Sequence, residues 1–154
     1  MKIGIPAETR SGETRVAATP ETIKKYVSAK HEVVVQAGAG IASSITDEAY
    51  QAAGATIVNA ADAFAADLIL KVRAPSAEER GLIKSGAVIV GMLNPFDAEN
   101  IAAMAAHGIT AFSLEAAPRI TRAQSLDVLS SQANVAGYKA VIMAADRYQK
   151  FFPM

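Results

Sequence analysis

The amino-acid sequence predicts an α/β fold in which helices cover both faces of a mostly parallel β-sheet. Three observations support this fold class. Short runs rich in β-branched residues alternate with amphipathic or alanine-rich segments, and residues that form turns and helix caps stand between them. A chain of 154 residues with 51% hydrophobic residues can also bury one substantial core. Strands that are separated by helices indicate right-handed βαβ crossovers.

Six candidate strands lie within the first 113 residues. In chain order they are 2–5, 32–36, 56–58, 68–72, 87–92 and 110–113. Each is short and rich in valine, isoleucine or threonine, the residues that fit a pleated and buried surface. With helices between them, they predict a doubly wound sheet of the Rossmann-like or flavodoxin-like type.

Start and stop signals predict where the helices lie. A threonine, a proline and a glutamate at 19–21 predict a helix from about Pro20 to Ala29. Ser76 and Glu79 fit a capping box, in which two side chains satisfy each other's backbone donors. Two further helices have signals at both ends, at Thr46 and Gly54 and at Asp97 and Gly108.

The last predicted helix is unusually long. Thr121 and Gln124 fit a second capping box, so we expect a helix from about Arg122 to Lys150. This is much longer than the average globular helix of about 12 residues. We therefore divide the chain into an α/β domain over 1–120 and a long linking helix over 121–154, whose apolar end we expect to be buried between bodies.

Composition and charge exclude several classes of function. Lys plus Arg and Asp plus Glu each number 15, so no basic surface favours a nucleic acid. The absence of cysteine and the presence of only two histidines leave little for a metal site. No apolar run approaches the ~18 residues that span a bilayer, and the N-terminus does not resemble a signal peptide. We expect a cytosolic chain without metal.

A polar segment over 118–138 concentrates more hydrogen-bonding side chains than any other stretch. Arg119, Gln124, Asp127 and Ser130 straddle a loop and the first turns of the last predicted helix. Several donors and acceptors in this position could hold a flat, polar, uncharged ring such as nicotinamide. The alternative is a well-capped helix with solvated serines, and the residues alone leave both interpretations open.

Two cations are predicted at the carboxyl edge of the sheet, where open α/β folds bind ligands. Arg15 lies between the first strand and the first helix, and Lys71 lies near the end of the fourth strand. Together they could hold a small carboxylate, with Arg15 binding it bidentately, or they could form structural ion pairs. The sequence leaves these alternatives open, and it favours structural roles for His31 and His107.

The glycines at 38 and 40 follow a strand but do not make a dinucleotide fingerprint. The third glycine of the Gly-x-Gly-x-x-Gly pattern is missing, and no convincing helix begins after them. We therefore interpret this stretch as a turn.

The chain resembles a known family along nearly its whole length: the N-terminal part of the alpha subunit of proton-translocating NAD(P) transhydrogenase, which shares its fold with alanine dehydrogenase. The motifs that carry the resemblance are Ile-Gly-Ile-Pro near the start, Glu-Thr-Arg-Val-Ala-Ala-Thr-Pro at 13–20, Glu48 through Gly-Ala-Thr-Ile from 54, Leu-Lys-Val from 70, and Pro-Arg-Ile-Thr-Arg-Ala-Gln-Ser-Leu-Asp at 118–127. The last of these motifs is the most specific.

The resemblance implies direct hydride transfer from NADH to NADP⁺ held by a separate domain, coupled to proton translocation. It places Gln124 at the nicotinamide ribose of NAD(H), and Arg119 and Ser130 at the ring and its carboxamide. It implies that Asp127 organises the loop by pairing with Arg119. On this basis Gln124, Arg119 and Asp127 are the expected catalytic residues, and these three with Ser130 are the expected cofactor-binding residues.

The resemblance also implies partners. It implies a homodimer that meets the NADP-binding and membrane domains of the transhydrogenase at the cytoplasmic face of the inner membrane. The family's glycine-rich nucleotide-binding domain would begin after Met154, so we expect this chain alone to be catalytically silent.

Two alternatives stay open. The first is an alanine dehydrogenase-like N-terminal domain, whose keto-acid ligands Arg15 and Lys71 would match, although Asn94 stands where that family places a histidine. The second is a non-catalytic dimerisation or interaction module, which the apolar stretch 140–145 suggests.

Overall fold

The computed structural model describes residues 1–118 and 120–151. The chain divides into two compact units, Met1–Leu114 and Glu115–Met154. The first unit contains the sheet, and the second contains the polar segment and the last helix.

The first unit is built on a six-stranded sheet in which every strand pairing is parallel. The strands are β1 (Lys2–Ile5), β2 (Glu32–Gln36), β3 (Thr56–Val58), β4 (Leu68–Arg73), β5 (Val88–Met92) and β6 (Thr110–Ser113). The predicted fold class is confirmed, and β4 and β5 differ from their predicted bounds by one residue each. The strand order is β3-β2-β1-β4-β5-β6. Because the order reverses direction between β1 and β4, the crevice at their carboxyl ends is the expected ligand site.

Five helices connect these strands. They are α1 (Pro20–Ser28), α2 (Asp47–Ala52), α3 (Ala60–Phe64), α4 (Ala77–Arg80) and α5 (Ala98–Ala106). The predicted start signals are confirmed, with the capping side chains Thr19, Thr46, Ser76 and Asp97. Ser76 and Glu79 form the predicted capping box. Helix α3, for which the sequence showed no separate signal, is capped by Asn59.

Helices pack on both faces of the sheet. Ile5 of β1 and Val35 of β2 belong to one buried cluster with Ile23 of α1. The preceding residue, Gly4, faces α3, where a Cβ atom would overlap the carbonyl oxygen of Ala63. Since successive residues of a strand point to opposite faces, α1 and α3 lie on opposite sides of β1. This arrangement confirms the predicted doubly wound architecture.

The second unit departs from the predicted helix. Its residues form a 3-10 helix over Thr121–Leu126, followed by α6 over Val128–Arg147. The second predicted capping box is therefore wrong: the 3-10 helix has no side-chain cap, and Asp127 caps α6 instead. Because the 3-10 helix comes first and Asp127 caps the next helix, α6 begins at Val128, six residues after the predicted start at Arg122.

Apolar side chains of α6 that were expected to be buried are exposed in this chain. Val141 is 65% exposed and Ile142 is 47% exposed. Among the described residues, no helix combines the length and the apolar character that crossing a bilayer requires.

Candidate functional site

The carboxyl ends of β1 and β4 carry a network of buried charges. Lys71 of β4 is at its centre, with a side chain that is only 1% exposed. Its Nζ atom lies 3.0 Å from Oε1 of Glu79 and 3.5 Å from Oε2 of Glu8, and it donates a hydrogen bond of 3.3 Å to the carbonyl oxygen of Ala7. The same ammonium lies 5.7 Å from the centre of the Phe64 ring, within cation–π range. Lys71 is thus held by several groups at once.

The two carboxylates beside Lys71 also hold the backbone. Glu8 Oε1 accepts a hydrogen bond of 2.6 Å from the backbone N–H of Val72, which fixes the chain after β1 against the end of β4. Glu79 accepts from the Thr9 hydroxyl at 3.0 Å, and its other oxygen accepts from the Ser76 backbone N–H at 2.8 Å. The capping box of α4 is therefore part of the charge network.

A second ion-pair group extends the network through Glu13. Arg15 donates to both Glu13 oxygens, at 2.7 Å from Nε and 2.5 Å from a terminal nitrogen, and Arg73 Nε donates to Glu13 at 2.9 Å. These hydrogen bonds lower the pKa of Glu13 to about 2, and the bond from the Arg15 side chain contributes most. Burial of the carboxylate opposes this shift. The same hydrogen bond with Glu13 raises the pKa of Arg15. Arg73 also donates its backbone N–H to Glu8, so one set of contacts joins Arg15 to Lys71.

The structure thus brings both sequence-predicted cations into one network, but each already holds a carboxylate. Glu8, Glu13 and Glu79 were missed as partners for different reasons: Glu8 is far from Lys71 in sequence, Glu79 was assigned only to the capping box, and no motif marks the local pair of Glu13 and Arg15. Each positive side chain in the network faces a negative one within 4 Å. The carboxylates that pair with Arg15 and Lys71 in this structure come from the chain itself.

The polar segment belongs to the second unit, and Arg119 lies outside the described residues. Gln124 lies on the 3-10 helix with an exposed side chain, whereas its neighbour Ala123 is buried. Ser130 is exposed in the first turn of α6, and Asp127 is half-buried. The segment therefore exposes the polar side chains of Gln124 and Ser130 and buries the apolar Ala123.

Asp127 and Ser130 make a tight local contact. Asp127 Oδ1 accepts a hydrogen bond of 3.0 Å from the backbone N–H of Ser130, and Oδ2 accepts one of 2.6 Å from its hydroxyl. The main-chain oxygen of Asp127 accepts from the hydroxyl of Ser131 at 3.2 Å. The carboxylate caps α6 and complements the positive end of the helix dipole.

The glycines at 38 and 40 are explained by turn geometry, as the sequence predicted. Gly38 has a left-handed backbone with φ of 76°, which favours glycine. A Cβ atom on Gly40 would lie 2.7 Å from the carbonyl oxygen of Ile45 and 2.7 Å from the ring of Tyr50.

The parallel sheet, its reversal between β1 and β4 and the helices on both faces define a doubly wound α/β domain of the Rossmann-like class. Residues 4–136 match the family model described as "Alanine dehydrogenase/PNT, N-terminal domain". The chain belongs to this family.

The similar proteins include transhydrogenase chains and an alanine dehydrogenase. An NAD(P) transhydrogenase alpha-subunit chain of Rhodospirillum rubrum is 49% identical over 100% of this chain, and NAD(P) transhydrogenase subunit alpha of Haemophilus influenzae is 42% identical over 99% of it. A transhydrogenase structure from Sinorhizobium meliloti aligns with a TM-score of 0.94 and 52% identity, covering 100% of this chain and 47% of that one. An L-alanine dehydrogenase structure aligns with a TM-score of 0.72 and 31% identity, covering 75% of this chain and 32% of that one.

The chain spans only a portion of the curated relatives that it matches. It covers 42% of the Rhodospirillum rubrum protein and 30% of the Haemophilus influenzae protein. The resemblance therefore concerns one portion of a longer subunit in those organisms.

Proposed function

We propose that this chain forms the NAD(H)-side component of a proton-translocating NAD(P) transhydrogenase, in which hydride passes between NADH and NADP⁺. The observation that carries the proposal is the 49% identity with a transhydrogenase alpha chain over the whole of this sequence. The outward-facing polar side chains of residues 121–130 support it, because they supply the kinds of group that a nicotinamide ring and its ribose require.

Each polar side chain has a distinct role in this proposal. Gln124 holds the nicotinamide ribose, since its exposed amide can both donate and accept. Arg119 and Ser130 orient the ring and its carboxamide. Asp127 organises the segment by capping α6, and its pairing with Arg119 is part of the proposal, since Arg119 lies outside the described residues.

The chemistry demands positioning more than acid–base catalysis. When bound, NADH supplies the hydride, and the protein has to bring donor and acceptor carbons within reacting distance. No side chain has to give or take a proton in that step. Gln124, Arg119 and Ser130 serve by limiting the orientations of the ring, while a separate domain presents NADP⁺.

The proposal includes the assembly around the chain. We place it in a homodimer that meets the NADP-binding and membrane domains of the complex at the cytoplasmic face of the inner membrane. The names of the similar chains, each a subunit of NAD(P) transhydrogenase, support the part of this proposal that concerns partner subunits.

An alanine dehydrogenase-like activity is less well supported. Arg15 and Lys71, the cations that would hold a keto acid, are already engaged by carboxylates. Asn94, at the carboxyl end of β5, cannot exchange a proton near neutral pH as a histidine does. A purely structural interaction module has one observation in its favour, the exposed apolar side chains of α6.

The test is Gln124→Ala in the complete transhydrogenase that contains this chain. We expect turnover to fall by more than the affinity for NADH, because one neutral hydrogen bond contributes only about 0.5 to 1.5 kcal/mol to binding, whereas misplacement of the ring affects the transition state. Steady-state hydride transfer and calorimetric titration with NADH measure the two quantities. Gln51→Ala, an exposed glutamine on α2, is the matched control. Equal losses in turnover and affinity, or no loss of either, would contradict the proposed role.

A further inference from the structure

One aromatic side chain is almost fully exposed at the carboxyl edge of the sheet. Phe96 is 92% exposed, more than any other large apolar side chain of the first unit. It follows β5, which pairs with β4. Since paired strands lie about 4.8 Å apart, this end of β5 is next to the expected ligand crevice at the end of β4. Single exposed apolar side chains are common, so the way in which this one is held decides its meaning.

The backbone on both sides of Phe96 is fixed. Leu93, just before the turn, is 2% exposed and belongs to a core cluster. The N–H of Asp97 donates a hydrogen bond of 3.0 Å to the carbonyl oxygen of Asn94, which closes a turn with Pro95 and Phe96 at its tip. Proline fixes φ, and Asn94 has a left-handed backbone with φ of 54°, which asparagine adopts more readily than most residues. The turn therefore presents Phe96 in a defined position.

The helix that follows the turn is anchored as well. Asp97 caps α5 by accepting a hydrogen bond of 3.0 Å from the N–H of Asn100. The side-chain oxygen of Asn100 accepts one of 2.5 Å from Arg80 of α4, which also donates to the carbonyl oxygen of Pro75 at 3.3 Å. These contacts tie the turn to a second helix. A preorganised aromatic side chain loses little freedom on binding, and such residues dominate protein–protein interfaces.

We propose that Phe96 is an anchor for the domain that holds NADP⁺, and that it inserts into an apolar pocket on that partner. The inference rests on the proposed function. Hydride transfer requires donor and acceptor carbons about 3 to 3.5 Å apart, so the surfaces around the two nucleotides have to meet. Ligands of open α/β domains bind at the carboxyl edge of the sheet, and Phe96 lies at that edge.

The charges beside Phe96 define the rest of the partner surface. Asp97 follows it directly, and Glu99 is exposed in the first turn of α5. Carboxylates at the border of an interface disfavour an acidic partner surface and attract a basic one. The pocket that receives Phe96 is therefore apolar and bordered by lysine or arginine side chains.

Reconstitution of the complex tests this role. The complete subunit that contains this chain is added in increasing amounts to the remaining subunits of the transhydrogenase, and reduction of NADP⁺ by NADH is followed. Phe96→Ala should raise the half-saturating concentration of the subunit about tenfold or more, as expected for the loss of an aromatic anchor. The rate at saturation and the calorimetric affinity for NADH should both stay within about twofold of the wild type, because the anchor contacts the partner and not the nucleotide.

Two variants serve as controls for the loss of the ring. Phe96→Leu keeps a large apolar side chain and should stay within about threefold of the wild type, since hydrophobic burial supplies most of the contact. Phe112→Ala removes another exposed phenylalanine, which lies within β6 and not on the turn, and it should have an effect of less than about twofold.

The charged border is tested separately. Glu99→Gln should raise the half-saturating concentration about two- to fivefold at low salt and reduce its dependence on salt, as removal of a charge at the rim of an interface does. An unchanged salt dependence would overturn the basic border of the partner pocket.

The outcomes separate this inference from the function on which it rests. If the wild type transfers hydride and Phe96→Ala has a wild-type half-saturating concentration, or the same shift as Phe112→Ala, the anchor is overturned and the proposed function stands. A loss of NADH affinity in Phe96→Ala would also overturn the anchor, because the side chain would then act on the nucleotide. Sedimentation that shows Phe96→Ala separating a homodimer would assign Phe96 to a second copy instead. A complete wild-type enzyme without hydride transfer from NADH to NADP⁺ would overturn the proposed function and the anchor together.

Discussion

Removing the buried ammonium of Lys71 should destabilise the first unit far more than removing an exposed one. The perturbation is Lys71→Met, which keeps an unbranched apolar side chain of similar reach and deletes the charge. Glu8 and Glu79, with side chains only 2% and 8% exposed, would lose their shared cation. The experiment therefore isolates the electrostatic part of the network.

The magnitude follows from the burial of all three side chains. Removing one partner of a buried ion pair costs about 3 to 5 kcal/mol, because a buried charge is left without compensation. An exposed pair contributes about 0 to 1 kcal/mol. Lys84 and Asp67 form such a pair at 2.6 Å with both side chains 49% exposed, so Lys84→Met is a matched control. For a domain of this size, the melting temperature should fall by roughly 6 to 20 °C in Lys71→Met and only slightly in Lys84→Met.

Thermal and urea unfolding followed by far-ultraviolet circular dichroism measure this difference. Circular dichroism is the appropriate probe because the chain contains no tryptophan. Adding Glu79→Gln to Lys71→Met should recover part of the lost stability, since it removes one of the uncompensated charges. The reasoning is refuted if Lys71→Met is no more destabilising than Lys84→Met, or if the second substitution makes the protein weaker still.

Two further predictions concern single contacts. Glu13 has a folded pKa of about 2 against an ordinary value of 4.5, so its ion pairs stabilise the fold above about pH 4.5 and that contribution is lost as the pH falls toward 2. Glu13→Gln should reduce the change in unfolding free energy across this pH window by about 1 to 2 kcal/mol. Solvent screening of the partly exposed guanidinium groups limits the effect to this size. A variant with the same pH dependence as the wild type would contradict this. Tyr50→Phe should lower the free energy of unfolding in urea by about 1 to 3 kcal/mol, because the carbonyl of Ala18 loses the hydroxyl that donates to it at 2.8 Å. Tyr138→Phe is the control, since Tyr138 is exposed on α6. Equal effects of the two substitutions would contradict this prediction.

The sheet was predictable because its strands carry strong local signals. Buried parallel strands are short β-branched runs, and helix caps mark the segments between them. Asn59 was missed as a cap because the helix it begins, Ala60–Phe64, is only five residues long and has little room for a periodic pattern. The strand order could not be read from the sequence, since it depends on which edge each crossover returns to.

The charge network at the carboxyl edge was only half predictable. Position in the predicted fold indicated that Arg15 and Lys71 share one edge of the sheet. Their partners were hidden for different reasons. Glu8 contacts the end of β4 across 64 positions of sequence. Glu79 was assigned to the capping box, and a single carboxylate can cap a helix through one oxygen and hold a lysine through the other. Glu79 thus has two roles, and only the capping role has a local sequence pattern that predicts it.

The competition between two caps explains why the last helix begins where it does, and it bears directly on the candidate site. Thr121 with Gln124 offers a neutral capping box, whereas Asp127 offers a charged cap that also binds the hydroxyl of Ser130. A carboxylate gains from the helix dipole as well as from its hydrogen bonds, which favours Asp127. Because the α-helix starts after Asp127, Gln124 is left on a separate 3-10 turn with its side chain exposed. The cap at Asp127, which the sequence pattern did not predict, therefore leaves the side-chain amide of Gln124 exposed, as its proposed role at the nicotinamide ribose requires.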